Sequence, residues 1–233
     1  TILDWEKYIG NNNQISIGDK TWDVHTSQDL IYSANVKFSY SIAWQSDLSD
    51  LGKFYNFFPT DVETSLPCLI HATFDLTNNR KEINKCDENL FILNQIAQTL
   101  GELAISHFKR DQSDWQAYQL LSPGSLNNRE LFKPFYEQVR TKREEIACYP
   151  TINNSYIKKD EAVFYGNDFS NWVLKNDLGN YFPNLLKATV GEINFDKEKF
   201  RSYSHIEWRN ISKQITSKIK NHHERALLLK HLI

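Results

Sequence analysis

Residues 68–107 read CLIHATFDLTNNRKEINKCDENLFILNQIAQTLGELAISH, and a change of hydrophobic spacing within this stretch indicates an α/β fold. Cys68–Phe74 is a short apolar run typical of a buried strand. From Leu90 to His107, apolar residues recur every three or four positions, which predicts an amphipathic helix. Asp87 or Asn89 is the expected cap of that helix. Such a stripe is ordinarily explained by burial against a core.

Further strands are predicted upstream of this stretch. Phe54–Phe58 is one candidate, joined to Cys68–Phe74 by a connection that runs from Pro59 to Pro67. Another is a run in which large apolar side chains alternate with smaller or polar ones, the period of a half-buried strand: Val36, Phe38, Tyr40, Ile42 and Trp44. Asn11–Asn13 is a predicted turn.

The second half of the chain predicts a smaller, mostly helical α/β region. Ser122–Ser125, which reads SPGS, is the best candidate for a boundary. Beyond it, Arg129–Ile146 is a predicted charged helix with Pro134 in its first turns, and Thr151–Ile157 is a predicted hairpin. A last helix is predicted by apolar residues at helical spacing in a lysine-rich tail: Trp208, Ile211, Ile215, Ile219 and Leu229.

Composition describes a globular protein of a reducing compartment. The 233 residues are 40% hydrophobic and 13% aromatic, with a formal net charge of −2. No net positive field therefore draws the chain to nucleic acid, and no apolar run reaches the roughly 20 residues of a membrane-spanning helix. Cys68, Cys86 and Cys148 are an odd, widely spaced set, which favours cytoplasmic thiols over disulfides. Because the chain starts at Thr1 and contains no Met, we expect a piece of a longer protein.

Several kinds of site are excluded by inspection. The chain has 8 Gly and neither a Gly-rich phosphate loop nor a Gly-x-Ser-x-Gly elbow. Neither a CxxC pair nor an HExxH motif occurs, and His222 and His223 are adjacent, which points them in different directions on a helix. No metal site is therefore expected. Lys213–Lys230 is basic, and a solvated helix face is its ordinary interpretation.

One segment has the composition of a functional site. Residues 74–84 read FDLTNNRKEIN and join the predicted strand to the predicted helix, where functional groups of α/β proteins often project. Arg80 offers a planar, permanently charged fork of donors suited to a transferring phosphoryl group. Asn84 follows four residues later, so on a helix the two side chains would share a face and reach one ligand. The alternative is an exposed helix start with an ordinary surface arginine.

This segment resembles the catalytic loop of the middle domain of the heat shock protein 90 chaperones, in which Leu-x-x-Ser-Arg-Glu-x-x-Gln opens a long helix. Leu76 and Arg80 match that pattern, and at its Ser, Glu and Gln positions stand Asn79, Lys81 and Asn84. The resemblance implies that Arg80 reaches the γ-phosphate of ATP with Asn84 as its catalytic amide partner, and that Asn79 and Arg80 form the nucleotide contact. Lys81 and Asn84 depart from the family pattern.

A second resemblance covers more of the chain. Phe57–Thr60, which reads FFPT, and the run from Leu66 to Arg80 are similar to sacsin-type and related bacterial proteins with the same GHKL-type ATPase domain. This similarity extends from about Val36 to about Tyr165. Only the short segment around Arg80 is mechanistically specific.

Together the resemblances imply the middle region of an ATPase and molecular chaperone. The implied fold is an αβα sandwich with a ribosomal-protein-like left-handed βαβ unit over residues 1–112, then a helical linker and a small α/β subdomain over residues 113–233. ATP and Mg²⁺ would be held by an N-terminal domain outside this chain, and Arg80 would act on that ATP as an arginine finger does. That domain, client proteins and a second copy of the parent are the implied partners.

Two other functions stay open. In one, the chain is a non-enzymatic scaffold for protein partners and Arg80 is a surface residue. In the other, it belongs to the ATPase module of a bacterial DNA-linked defence protein, which salt-dependent DNA binding by the lysine-rich tail would support.

Overall fold

The computed structural model describes most of the chain between residues 14 and 228. The described residues are 14–17, 20–28, 30–33, 36–45, 48, 52–106, 114–124, 130–189, 193, 199–216, 218–219, 225–226 and 228. The predicted turn at Asn11–Asn13, the adjacent histidines 222–223 and most of the lysine-rich tail lie outside them. The chain divides into two units, the first formed by residues 1–108 with 116–143 and the second by residues 109–115 with 144–233.

The first unit contains eight described strands. In chain order they are β1 (Gln14–Ile17), β2 (Lys20–Thr26), β3 (Leu30–Ser33), β4 (Val36–Phe38), β5 (Tyr40–Trp44), β6 (Lys53–Asn56), β7 (Phe58–Glu63) and β8 (Leu69–Ala72). Six of them form one sheet in the order β1-β2-β5-β8-β6-β7, and β3 pairs with β4 separately. All neighbours in the large sheet are antiparallel except β6 and β8, which are parallel. The sheet is therefore mixed.

The predicted strands are present with altered limits. The alternating run from Val36 to Trp44 is divided at Ser39, so that β4 pairs with β3 while β5 joins the large sheet. The strand predicted over Phe54–Phe58 ends at Asn56, because Phe57 takes a left-handed backbone with φ 59° and turns the chain into β7. The alternation holds only in part: Tyr40 and Ile42 are buried and Ser41 between them is partly exposed, but Ala43 and Trp44 are both buried, so this end of β5 is covered on both faces and is not half-buried as predicted.

A long helix covers one face of this sheet. Helix α1 (Asp87–Ser106) matches the helix predicted from the apolar stripe, and its buried residues recur at steps of three and four, from Ile92 and Ile96 to Leu103. The phenol oxygen of Tyr40 on β5 lies 2.6 Å from Oγ1 of Thr99, which joins helix and sheet inside the core. The predicted α/β class is confirmed by this mixed sheet and its helices.

Two more of the described helices belong to the first unit. They are α2 (Gln116–Leu120) and α3 (Phe132–Glu145), and Pro134 lies in the first turn of α3 as predicted. The Phe54 ring stacks on Phe132 with centroids 5.2 Å apart, while the Tyr136 hydroxyl donates to the Thr64 carbonyl at 3.1 Å. The boundary predicted near Gln112 falls in residues 107–113, outside the described part. Residues 116–143, predicted for the second domain, group with the first unit.

The second unit is a small α/β body around an aromatic core. It contains the hairpin strands β9 (Tyr149–Pro150) and β10 (Tyr156–Ile157), then α4 (Asn167–Lys175), a 3-10 turn (Gly179–Tyr181) and α5 (His205–Ile215). The predicted hairpin is present with Asn154 in the left-handed conformation at its turn, but its first strand is Tyr149–Pro150 and so lies just before the predicted range of Thr151–Ile157. The buried core includes Phe169, Phe182 and Tyr203. Of the predicted tail helix, α5 contains Trp208, Ile211 and Ile215, while Leu229 lies outside the described residues.

Candidate functional site

The segment that carries Arg80 is a hairpin-like loop and not the start of a helix. Leu76 and Ile83 form an antiparallel bridge, and the Thr77 N–H donates to the Glu82 carbonyl at 2.9 Å. Arg80 lies at the tip with φ 58°, and its N–H donates to the Thr77 carbonyl at 2.7 Å. Helix α1 begins later, at Asp87. The prediction that Arg80 and Asn84 share one helical face is therefore wrong.

Asn79 shapes the tip of this loop. Its Oδ1 accepts hydrogen bonds from Oγ1 of Thr77 at 2.7 Å and from the backbone N–H of Lys81 at 3.0 Å. This is the local side-chain-to-backbone bonding by which Asn stabilises turns. The resemblance implied that Asn79 contacts the nucleotide, whereas here its side-chain oxygen is used inside the loop.

Asn84 closes the base of the loop. Its Nδ2 donates to Oδ2 of Asp75 at 2.8 Å and to the Leu76 carbonyl at 3.0 Å. Because an amide group has two N–H donors, both are engaged within the loop. The structure thus places Asn84 in the same loop as Arg80 but gives the Asn84 amide a structural role. Neither of its N–H groups is left for the predicted catalytic contact with ATP.

Arg80 itself is exposed at the loop tip. Among the residues that the structure describes, no carboxylate forms an ion pair with its guanidinium. The neighbouring Lys81 differs, since its Nζ lies 3.5 Å from Oδ2 of Asp61. The Asp61 N–H also donates to the Lys81 carbonyl at 2.9 Å, which fastens the loop to β7. Within the described part of the chain, Arg80 is therefore an unpaired cation on a loop that is held in place by hydrogen bonds.

An open cleft lies beside this arginine, and we call it the Arg80 cleft. It has a volume of about 600 Å³, and its lining residues are Asn56, Phe57, Phe58, Leu76, Thr77, Asn78 and Arg80. Phe57 is 76% exposed and Phe58 57% exposed, which makes them prominent apolar groups on the surface of the first unit. Two adjacent exposed phenylalanines beside a cation suit a partner that combines apolar and anionic groups.

Hydrogen bonds hold the aromatic wall of this cleft. Nδ2 of Asn56 donates to the Phe74 carbonyl at 2.6 Å, while the buried Oδ1 of Asn56 finds no hydrogen-bond partner among the described residues. The Phe57 N–H donates to Nε2 of His71 at 3.3 Å. Burial lowers the pKa of His71, which keeps its imidazole neutral and able to accept that bond. Sequence reasoning missed the exposure of Phe57 and Phe58, because an apolar pair ahead of Pro59 also fits a buried strand.

Other chemistry is not assembled in the described part of the chain. Burial raises the pKa of Cys68 to about 12, so its thiol is not a nucleophile. The described residues contain no group of three or more His, Cys, Asp or Glu placed to hold a metal ion. None of the described helices combines the length and the apolar character needed to cross a membrane.

Comparison of this chain with protein-family models, with curated proteins and with solved structures finds no match. The candidate site therefore rests on the geometry of the loop and the cleft alone.

Proposed function

We propose that this chain is the middle part of a heat shock protein 90-like or sacsin-like ATPase, in which Arg80 contacts the γ-phosphate of ATP bound on another domain. The observation that carries the proposal is the guanidinium of Arg80, which is exposed at the tip of a hydrogen-bonded loop beside the Arg80 cleft and forms no ion pair with any described residue. The proposed finer fold is the αβα sandwich of that middle domain.

Arginine is suited to this task for a chemical reason. Its guanidinium stays charged, and its parallel N–H groups match two phosphate oxygens at once. An arginine supplied to a phosphoryl-transfer site is worth on the order of a thousandfold or more in rate. A support already fixed by Asn79 and Asn84 loses little conformational entropy when the phosphate arrives.

The aromatic wall supports docking of a second domain. Phe57 and Phe58 are largely exposed, and burying apolar surface yields roughly 25 cal/mol per Å². A phosphate alone would leave them in water, whereas a docked ATP-binding domain would cover them. ATP and Mg²⁺ are proposed to be held by that domain, with none held by this chain alone.

The loop geometry changes two of the three residue roles that the resemblance implies. Arg80 keeps the proposed contact with the nucleotide. Asn79 and Asn84 become positioning residues, because the side chain of Asn79 bonds within the turn at the loop tip and that of Asn84 bonds at the base of the loop. A residue that only fixes the base of the loop does not need the longer side chain of glutamine. This accounts for asparagine at position 84, where the family has glutamine.

The test is ATP hydrolysis by the full-length parent protein. Arg80→Ala is expected to lower kcat at least about tenfold with nucleotide binding unchanged. Arg140→Ala is the matched control, since Arg140 is an exposed arginine of the same unit on α3. Equal rates for Arg80→Ala and the native protein would contradict the proposal.

One observation favours a second candidate function, a non-enzymatic protein-interaction scaffold. Phe57 and Phe58 would serve such a scaffold equally well, since exposed aromatic side chains anchor many interfaces. A parent protein that hydrolyses no ATP, but loses a protein partner on Phe58→Ser, would favour the scaffold.

A further inference from the structure

We propose that Asn89 is a positioning residue that holds the loop presenting Arg80, an inference that rests on the proposed function. Asn89 lies in the first turn of α1 and is completely buried. A polar side chain at such a place needs a full set of partners, because an unbonded buried amide is costly. Its partners identify what it does.

Three hydrogen bonds join the Asn89 side chain to the two ends of the Arg80 loop. Oδ1 accepts from the Asp75 N–H at 2.9 Å. Nδ2 donates to the Asp75 carbonyl and to the Asn84 carbonyl, each at 2.8 Å. One side chain thus joins the start of the loop at Asp75, after β8, to the end of the loop at Asn84, before α1.

Direct bonds between the same two ends complete this clamp. The Asn84 N–H donates to the Asp75 carbonyl at 3.0 Å, and the Asn84 side chain donates to the Asp75 carboxylate at 2.8 Å. Asp75, Asn84 and Asn89 therefore form a three-residue base, which we call the loop clamp. Arg80 lies at the opposite end of the loop from the loop clamp. The clamp joins the loop to α1 and therefore fixes how the backbone of Arg80 is oriented relative to that helix.

The same position would suit an apolar residue if packing were its only task. Ile92, Leu93 and Ile96 occupy the neighbouring buried positions of α1. An amide at residue 89 supplies one acceptor and two donors at once, which neither an apolar residue nor a carboxylate can do. The side chain therefore serves the loop, and we expect its loss to disturb Arg80 more than it disturbs the helix.

Amide hydrogen exchange on the 233-residue chain tests the clamp directly. In Asn89→Ala, exchange of the Thr77, Arg80 and Asn84 amides is expected to accelerate at least about tenfold, while the central turns of α1 keep their protection. Asn89→Ser retains a hydroxyl that can still donate and accept a hydrogen bond, and it provides a second, milder variant if the alanine variant folds poorly. Thr99→Val is the control, since it removes the buried bond to Tyr40 from the same helix without touching the loop.

Hydrolysis by the parent protein tests the link to function. Asn89→Ala is expected to lower kcat at least about tenfold and to leave KM for ATP unchanged, because the nucleotide is bound elsewhere. In an Arg80→Ala background, Asn89→Ala is expected to have no further effect, since both changes remove the same contact. Thr99→Val is expected to leave kcat unchanged.

The outcomes separate this inference from the proposed function. If Arg80→Ala leaves hydrolysis unchanged, the proposed function fails, and a positioning role for Asn89 fails with it even if loop exchange accelerates. If Arg80→Ala lowers kcat but Asn89→Ala does not, the proposed function stands and the inference is overturned. Equal acceleration of exchange in Asn89→Ala and Thr99→Val would overturn it as well, since the effect would then be general loss of stability.

Discussion

The backbone N–H of Phe57 donates a hydrogen bond to Nε2 of His71 at 3.3 Å, and the two rings meet nearly at right angles with centroids 5.8 Å apart. The bond requires a neutral imidazole with its proton on Nδ1. Phe57 has φ 59°, a conformation that costs energy for a bulky residue and so needs outside support. His71 is that support, which makes the aromatic wall of the Arg80 cleft dependent on a group that titrates.

Stability is therefore expected to fall as the pH is lowered. Burial places the folded-state pKa of His71 below its ordinary value of 6.5, so the unfolded chain takes up the proton first. The free energy of unfolding should decrease as the pH falls through 6.5 toward the folded pKa, and His71 should add no further slope below it. Burial also lowers the pKa of His25, which acts in the same direction.

Urea unfolding between about pH 7.5 and about pH 5 measures this effect. His71→Gln is expected to flatten the decrease, because the glutamine side chain does not titrate in this range. His25→Gln is the control, because it shows how much of the pH dependence that remains in His71→Gln comes from His25. An unchanged slope in His71→Gln would contradict the assignment.

Two glycine-to-alanine changes are expected to have opposite effects. A Cβ at Gly52 would lie 1.5 Å from the Cys68 carbonyl oxygen, so Gly52→Ala must move the backbone between β6 and β8. A Cβ at Gly101 in α1 would meet the Lys142 side chain at an ordinary 3.5 Å. We expect Gly52→Ala to lower the free energy of unfolding by roughly 2–4 kcal/mol and Gly101→Ala to raise it by roughly 0.5–1 kcal/mol. Chemical denaturation of both variants checks the pair, and a mild effect at Gly52 would contradict the close approach.

The start of α5 depends on a capping box. The Glu207 N–H donates to Oγ of Ser204 at 3.3 Å, the Ser204 N–H donates to Oε2 of Glu207 at 2.8 Å, and Arg201 binds both Glu207 oxygens at 3.2 and 2.9 Å. Ser204→Ala is expected to cost about 1 kcal/mol. Thermal unfolding of that variant measures the loss, and no change in Tm would contradict the cap.

The same carboxylate gives a second, acidic dependence on pH. The Arg201 guanidinium, followed by the Ser204 bonds, lowers the pKa of Glu207 from 4.5 to about 2. Its contribution to stability should be complete above about pH 4.5 and be lost as the pH falls toward about 2. Glu207→Gln keeps the hydrogen-bond geometry of the box and should remove this component. Urea unfolding between about pH 5 and about pH 2 measures this component. If the free energy of unfolding falls equally with pH in the native protein and in Glu207→Gln, Glu207 is not the cause of the decrease.

Shortening the chain tests the extent of the first unit. A fragment of residues 1–112 lacks α2 and α3, so Phe54 would lose its ring contacts with Phe132 and Phe135 at 5.2 and 6.2 Å. We expect this fragment to lose cooperative thermal unfolding and residues 1–146 to keep it. Equal cooperativity in the two fragments would instead support a boundary near residue 112.

Long periodic patterns were the reliable part of the sequence. Helix α1 was predictable because a stripe sustained over many turns has few explanations other than a buried helix face. The strand from Val36 to Trp44 was harder, since one alternation contains two strands that pair with different partners. The prediction that Asp87 or Asn89 caps α1 was wrong, since the helix begins at Asp87 and both residues therefore lie inside its first turn. The Asn89 side chain instead bonds to the backbone of Asp75 and Asn84, which its residue type and position do not reveal.

The candidate site was predictable in composition but not in geometry. The spacing of Arg80 and Asn84 suggested a shared helical face only if residues 80–84 were helical. Short polar side chains compete with helix formation by bonding to nearby backbone, and Asn79 does so here. The exposure of Phe57 could not be read from its type, since it follows from a left-handed turn that hydrophobicity does not report.

The place of β8 in the sheet constrains synthesis of the chain on the ribosome. β8 lies between β5 and β6 although it follows both of them in the chain. Until residues 69–72 have emerged, a nascent chain presents two unpaired strand edges that later become the middle of the sheet, and such edges recruit other chains. Premature termination just before residue 69 would therefore release a species that aggregates, whereas termination after α3 would release one in which both edges are paired.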